Sequence, residues 1–248
     1  HLISPTPGIY TNTWPKLNTL LLPYLLPGPE AIDAAMNDEL VGKEMLADLE
    51  AKNLKTVAIW MNGPRNVGST RPLLTPADMN GVKVRVQPAA VFVESMKAFG
   101  ANPVTMSWGE VPAALQQGVI DAVEPTPNAW LSSKLYETAT HITDMRYVYS
   151  FYLVATNKNW WDGLSEDTRK ALAAALDETT RWNWEEAEKA NAEAEKEMES
   201  AGVTIHELSD EQMQKWVDAA KPVWASLGNP LVGEEVMKRL EEIGNKYR

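Results

Sequence analysis

Residues 165–200 read SEDTRKALAAALDETTRWNWEEAEKANAEAEKEMES, a stretch without Gly or Pro that is rich in Ala, Glu, Lys and Leu. Such a composition favours an uninterrupted α-helix, with Ser165 as its N-cap and Gly202 just past its end. At 1.5 Å per residue this helix would span roughly 50 Å, which is more than the width of one small domain. The stretch therefore predicts a helix that bridges two domains.

The middle of the chain alternates between short β-branched runs and helical patterns. These patterns predict strands at residues 55–60, 81–86, 119–123 and 147–155, and helices at residues 29–52, 89–99, 107–117, 127–136, 210–224 and 233–247. Residues 62–78 contain several Gly and Pro residues and are predicted to form a loop. This alternation predicts an α/β fold with a largely parallel sheet, whose ligands lie beyond the carboxyl ends of the strands.

Composition excludes several classes of protein. The chain has 248 residues, of which 44% are hydrophobic and 23% charged, which is typical of a folded protein and not of a disordered one. Its net charge of −11 argues against a nucleic-acid partner. The apolar run at residues 20–26 contains Pro23 and ends at Pro27, so no segment reaches the roughly 18 apolar residues that membrane insertion needs. The absence of Cys excludes disulfides and zinc–thiolate sites.

A search for catalytic, metal-binding and cofactor motifs finds none. The chain has no GxGxxG, P-loop, HExxH or GxSxG sequence. Its three histidines, His1, His141 and His206, lack any companion motif, and a structural role is the more common outcome for such residues. The sequence therefore predicts no catalytic residue, no metal site and no cofactor.

Arg85 is the most informative charged residue. In the sequence GVKVRV of residues 81–86 the three valines share one strand face, which leaves Lys83 and Arg85 on the other. A guanidinium near the end of an apolar parallel strand requires a counter-ion, and its fork of donors matches a carboxylate. That counter-ion is either the carboxylate of a ligand or an acidic side chain of the protein such as Glu110 or Glu124, and the pattern favours neither alternative.

Other side chains near the predicted strand ends are candidates for ligand recognition. Arg65 follows the first predicted strand, where it either meets a ligand or lies exposed on a loop. Glu124 ends another strand, where it either faces the crevice or stabilises the start of a helix. Lower-ranked candidates for contacts with a hydroxyl, ring or amine of the ligand are Asn62, Asn66, Trp108 and Phe151.

A series of short motifs connects these candidates. It runs from LPYL at residues 22–25 through GPR at 63–65, RPLLTPADMNGVKVR at 71–85, FGANP at 99–103 and WGE at 108–110 to ALQQGVID at 114–121. In order and spacing this series resembles the periplasmic substrate-binding proteins of tripartite ATP-independent periplasmic (TRAP) transporters, the DctP-type family.

The resemblance implies a two-lobed α/β clamshell with a long helix across both lobes. We expect lobe I to comprise residues 1–62 with 151–190, and lobe II residues 63–150 with 191–248. The resemblance also implies a non-enzymatic periplasmic protein that captures a small organic acid and delivers it to a TRAP membrane permease. Arg85 would pair with the ligand carboxylate, and Arg65 would contact it from the same lobe. A carboxylate such as Glu124 in the pocket either indicates a polyhydroxylated or amine-bearing acid, for example a sugar acid, or contacts the ligand through a bridging water.

Two departures from the family pattern stand out. Many members read Glu-Asn-Pro after the Asp-Gly pair, whereas residues 121–125 here are DAVEP, so the usual asparagine ligand is missing. Family members also begin with a strand–helix–strand–helix segment, and this sequence starts after it, so we expect lobe I to be incomplete at its N-terminus. Two other functions remain open: a hydrolase or lyase with Glu124 or Glu110 as general base, and a sensory ligand-binding module.

Overall fold

Two long antiparallel strands form the centre of the sheet. The computed structural model describes residues 2–248, and His1 lies outside them. The strands are β1 (Leu2–Ile3), β2 (Leu54–Ser69), β3 (Lys83–Val86), β4 (Asn102–Thr105), β5 (Ala122–Val123), β6 (His141–Asn157) and β7 (Thr204–His206). They form one sheet in the order β1-β6-β2-β5-β3-β4, with β7 beside β6. β2 pairs with β6 along most of its length.

The expectation of a largely parallel sheet is wrong. Parallel pairing is confined to β3 with β4 and β5, and to β6 with β7, whereas the β1–β6, β2–β6 and β2–β5 pairs are antiparallel. The error comes from residues 62–78, which were predicted to be a loop although β2 continues to Ser69. Gly63 and Pro64 fit into the strand because the register shifts there, and Gly63 has a φ of 124°. Bulges are where strands tolerate Gly and Pro.

The predicted helices are present, with shifted ends. The helices of the structure are α1 (Pro29–Asn37), α2 (Val41–Ala51), α3 (Ala90–Ala98), α4 (Val111–Gln116), α5 (Pro127–Ser132), α6 (Lys158–Asp162), α7 (Glu166–Ser200), α8 (Asp210–Val223) and α9 (Asn229–Lys246). The short helix α6 was not predicted from the sequence. The predicted strand at 119–123 shrinks to β5, because the amides of Val119 and Ile120 instead donate to the carbonyl of Ala114 at the end of α4. Among residues 2–248, no helix combines the length and apolar character that crossing a membrane requires.

α7 is the predicted long helix. The side chain of Ser165 caps it by accepting a hydrogen bond from the amide of Thr168. Near one end Leu176 packs with Val154 and Trp161, and near the other Met198 belongs to a separate core cluster. The helix thus joins apolar clusters that lie far apart along its axis, as a bridging helix must.

The division into lobes at residues 62, 150 and 190 stays a prediction. The largest core cluster contains residues of both predicted lobes, for example Leu25 and Ile32 together with Val84 and Phe92. α8 and α9 contribute Trp216 and other buried side chains to the same cluster.

Asn191 ties α7 to the sheet. This side chain is only 5% exposed. Its amide group donates to the carbonyls of Asn62 and Ala187 at 2.8 and 2.7 Å, and its oxygen accepts from the amide of Asn128 at 3.0 Å. A Cβ at Gly63 would lie 2.3 Å from the Asn191 amide nitrogen, so only glycine permits this close approach. One side chain therefore joins α7, β2 and the start of α5.

We expect the Asn191→Ala substitution to lower the free energy of unfolding by about 1–3 kcal/mol, because it removes three hydrogen bonds of a buried side chain, two of them to the main chain of Asn62 and Asn128. Urea denaturation followed by circular dichroism measures the change. Glu193→Ala, at an exposed position of the same helix, is the matched control and should change the free energy of unfolding by less than about 0.5 kcal/mol. Equal unfolding midpoints for the two variants would contradict the role of Asn191.

Candidate functional site

Arg85 lies in the short parallel part of the sheet. β3 is flanked by β4 and β5, and Arg85 is in register with Val104 and Val123. Although it is charged, the residue is only 3% exposed. Its Nε and Nη2 atoms donate to the carbonyl of Met106 at 3.2 and 2.8 Å, and its guanidinium carbon lies 5.2 Å from the centre of the Trp108 ring. The main chain and one aromatic ring therefore fix the guanidinium in place.

Neither acidic side chain considered as a counter-ion for Arg85 contacts it. Glu110 accepts hydrogen bonds from the amide and hydroxyl of Ser107 in a capping box, which lower the pKa of the Glu110 carboxyl. Glu124 is bound to Arg65. Within residues 2–248, no carboxylate forms an ion pair with Arg85. Burial lowers the pKa of Arg85, and this effect outweighs the opposite effect of the negative charge of Glu124. A buried cation without a paired anion is unfavourable, so a ligand anion would stabilise it.

A cavity of about 440 Å³ lies beside Arg85. Its lining combines apolar and aromatic side chains with a few polar groups, which is typical of sites for small organic molecules. The lining includes Ile9, Asn62, Arg65, Arg85, Gln87, Met106, Trp108, Thr126 and Tyr152. Cavities of about 470 and 620 Å³ lie elsewhere, but their described linings contain no fully buried cation. Charge, and not size, therefore distinguishes the cavity beside Arg85.

Arg65 and Glu124 form a buried ion pair next to this cavity. Two parallel hydrogen bonds join them, from Nε to Oε2 at 2.6 Å and from Nη2 to Oε1 at 2.7 Å. Tyr147 donates its hydroxyl to Glu124 Oε2, and the ring of Phe92 lies 4.8 Å from the Arg65 guanidinium carbon. Burial would lower the pKa of Arg65, but the charge of Glu124 reverses this and raises it. Arg65 is therefore held as a cation, and the pair leaves its Nη1 group for other contacts.

The structure brings four of the seven predicted ligand-binding residues to the cavity. Asn62, Arg65, Arg85 and Trp108 line it. Asn62 comes from the middle of β2, where its Nδ2 atom lies 3.4 Å from Ser150 Oγ on β6. Trp108 sits in the turn before α4 and is 37% exposed, so one part of its ring faces outward.

The other three predicted residues, Glu124, Asn66 and Phe151, are not among the residues that line the cavity, and their contact with a ligand stays a prediction. Glu124 is fully buried behind Arg65. The side chain of Asn66 is used within the protein: it donates to Asp144 and accepts from the amide of Arg146. Phe151 is fully buried in the largest core cluster. Each of these side chains has a partner or packing environment that the sequence pattern did not show.

The lining residues that were not predicted to bind ligand include Gln87, Thr126 and Tyr152. Gln87 is two residues after Arg85, and side chains two residues apart in a strand lie on the same side. Strand periodicity could therefore have indicated Gln87 as a lining residue. The same alternation places Tyr152 on the face opposite that of Phe151. No sequence signal pointed to Thr126.

The arrangement of charged and polar groups can bind an anion. The lining described for the cavity contains no histidine and no carboxylate. His141 and His206 instead stack on each other between β6 and β7, with two ring nitrogens 3.0 Å apart. A general base must lie within hydrogen-bonding reach of the proton it removes, and neither histidine lies in the cavity lining.

Comparisons with known proteins agree with this geometry. The family model described as "Bacterial extracellular solute-binding protein, family 7" (DctP) matches residues 1–229. The C4-dicarboxylate-binding periplasmic protein DctP of Rhodobacter capsulatus is 35% identical over 216 residues, which are 87% of this chain and 65% of that protein. The chain thus spans about two thirds of the length of this relative.

Solved structures share the two-lobed fold. A TRAP periplasmic solute-binding protein from Shewanella oneidensis with bound succinate has a TM-score of 0.91 at 28% identity, covering 98% of this chain and 79% of that one. The sugar acid binding protein from Advenella mimigardefordensis in complex with galactonate has a TM-score of 0.91 at 25% identity, covering 100% of this chain and 79% of that one. These findings confirm the resemblance and the fold inferred from the sequence. The chain belongs to the DctP family, the bacterial extracellular solute-binding proteins of family 7.

Proposed function

We propose that the protein is the solute-binding component of a TRAP transporter, which captures a small organic acid between two lobes and delivers it to a membrane permease. The observation that carries the proposal is the Arg85 guanidinium, buried without a carboxylate partner beside a cavity of about 440 Å³. The family membership supports a binding role and not an enzymatic one. The relative in Rhodobacter capsulatus is named as a periplasmic protein, which supports a periplasmic location.

Arg85 binds the ligand carboxylate in this proposal. Met106 accepts two of its five N–H groups, so the guanidinium is already oriented before a ligand arrives. The remaining donors can face a carboxylate, and a lysine could not reproduce this fork. Because orientation precedes binding, little conformational entropy is lost when the acid binds.

Arg65 is the second cationic contact, and Glu124 acts through it. The ion pair holds the Arg65 guanidinium beside the cavity, and its Nη1 group is available to the ligand. Glu124 also offsets the repulsion between the two arginines, since its charge raises the pKa of Arg85 while that of Arg65 lowers it. Asn62 and Trp108 complete the polar and aromatic contacts, whereas Asn66 and Phe151 support the strands behind the cavity.

The cavity lies between the two proposed lobes. Ile9, Asn62 and Tyr152 belong to lobe I, whereas Arg85 and Trp108 belong to lobe II. A ligand that contacts both groups favours the closed arrangement by the difference between its affinities for the closed and open states. The permease would then recognise the closed, loaded form.

A panel of organic acids that includes succinate and galactonate tests the proposal by thermal shift, since a ligand raises the melting temperature according to its concentration relative to Kd.

We expect the Arg85→Lys substitution to weaken binding of the best acid about 10–100-fold, because the bidentate hydrogen bonds are lost while the charge remains. The melting temperature of the unliganded variant should stay close to that of the parent.

Lys83→Arg is the matched control for this experiment. Lys83 is on the same strand, and its side chain contacts Gly118 and Asp121 outside the cavity lining. Its substitution should leave affinity unchanged. If Arg85→Lys binds the acid as tightly as the parent protein, the proposed anchoring role is wrong.

A second prediction concerns the ion pair. The Glu124→Gln substitution should lower the free energy of unfolding by about 3–5 kcal/mol, because Arg65 would remain buried without a paired anion. Urea denaturation at neutral pH measures the loss. Glu185→Gln, at an exposed position on α7, should change stability by less than about 0.5 kcal/mol. A loss below about 1 kcal/mol at Glu124 would show that Arg65 finds another partner.

A further inference from the structure

Two segments that are distant in the sequence meet in the wall of the cavity. Thr6 Oγ1 donates a hydrogen bond of 3.2 Å to Gln87 Oε1, and both residues line the cavity. Thr6 follows β1, at a point where the carbonyl of Pro5 accepts a hydrogen bond from the amide of Leu153 on β6. Gln87 directly follows β3, two residues after Arg85. On the proposed division, the Thr6–Gln87 hydrogen bond therefore joins lobe I to lobe II.

The main chain at Gly8 leaves the space that the Gln87 side chain occupies. A Cβ at Gly8 would lie 2.6 Å from Gln87 Oε1 and 3.0 Å from Cε2 of Phe92. A side chain at this position would displace the end of Gln87, which is the part that contacts Thr6. The absence of a side chain at residue 8 thus permits the hydrogen bond between the two segments.

A second contact between the same two segments is buried. Asn18 Oδ1 accepts a hydrogen bond of 3.0 Å from the amide of Val91, in the first turn of α3. These residues are 3% and 0% exposed, so their separation would leave buried polar groups without partners, which is unfavourable. Thr6 and Gln87 are only half-buried, so water can replace either partner. The Thr6–Gln87 bond can therefore open and close while the segments stay joined at Asn18.

We infer that the Thr6–Gln87 hydrogen bond is a latch, which stabilises the closed arrangement of the two lobes and lengthens the time that a bound acid stays in the cavity. The inference rests on the proposed function and on the proposed division into lobes. One hydrogen bond typically changes an equilibrium about 5-fold, so the latch favours closure and still permits release. Gln87 acts through Thr6 and is a positioning residue.

Double electron–electron resonance between two spin labels tests the latch without any ligand. The chain has no cysteine, so Lys52→Cys at the end of α2 and Gln117→Cys at the end of α4 place one label in each proposed lobe, both at exposed positions. We expect the unliganded protein to populate the label distance of the structure together with longer distances. Thr6→Val and Gln87→Leu remove the hydrogen bond, and each should lower the ratio of closed to open molecules about 5-fold.

Three further variants show whether the hydrogen bond itself is responsible. Thr6→Ser retains the hydroxyl group and should keep the ratio of the parent protein. Thr13→Val, at an exposed position of the same segment, is the matched control and should also keep it. The double variant Thr6→Val/Gln87→Leu should lower the ratio no further than either single variant, because both substitutions remove the same bond.

Stopped-flow tryptophan fluorescence extends the test to the bound state, with succinate and galactonate as probes, since Trp108 lines the cavity. Each single variant should raise the dissociation rate of a bound probe about 5-fold. The association rate should change by less than about 2-fold, because the probe enters the open form. If Thr6 and Gln87 instead contact the acid independently, their effects multiply in the double variant, and the inference is overturned.

The outcomes distinguish this inference from the proposed function. If the unliganded parent protein shows only distances longer than that of the structure, or if Thr6→Val leaves the ratio of closed to open molecules unchanged, the latch is overturned even when acids bind. If Arg85→Lys weakens none of the acids, the anchoring role of Arg85 fails, whereas the spin-label distances still decide whether the latch exists.

Discussion

The bidentate pair between Arg65 and Glu124 is the interaction on which the site depends. It joins the middle of β2 to the end of β5, and both side chains are almost completely buried. Because Glu124 is engaged in this pair, Arg85 has no ion-paired carboxylate among the described residues. A buried pair of this kind adds little net stability, yet the loss of either partner leaves an isolated charge. Its main consequence is therefore to set the charge and the geometry that a ligand meets.

The two long strands are deformed to support this pair. Between Arg65 and Val67 the register of β2 with β6 shifts, and residues 144–147 of β6 bulge out of the ladder. Asn66 holds the bulge through Asp144 and the amide of Arg146, which adopts a φ of 43°. Bulges re-aim side chains near functional sites, and here the bulge carries Tyr147 to Glu124. Asn66 thus serves the site without lining the cavity.

The sequence was most informative where one local rule decides the structure. The lack of Gly and Pro in residues 165–200 predicted α7, and strand alternation placed Arg85 on the side opposite the valines. Prediction from the sequence failed where residues distant in the chain can form alternative pairs. Glu124 stood open as a partner for Arg85, yet it pairs with Arg65, 59 residues away. The strand that runs through Gly63 and Pro64 was missed because pairing with β6 overrides local preference.

Asn191 also bears on how the molecule can move. On the proposed division its side chain contacts the main chain of Asn62 in lobe I and that of Asn128 in lobe II, at a point where the backbone of Gly63 leaves no spare room. When two lobes rotate relative to one another, atoms close to the junction between them are displaced least. Asn62 also lines the cavity, so on the proposed function the acid would lie close to this junction. A small displacement at the acid would then correspond to a larger one at the outer edges of the two proposed lobes.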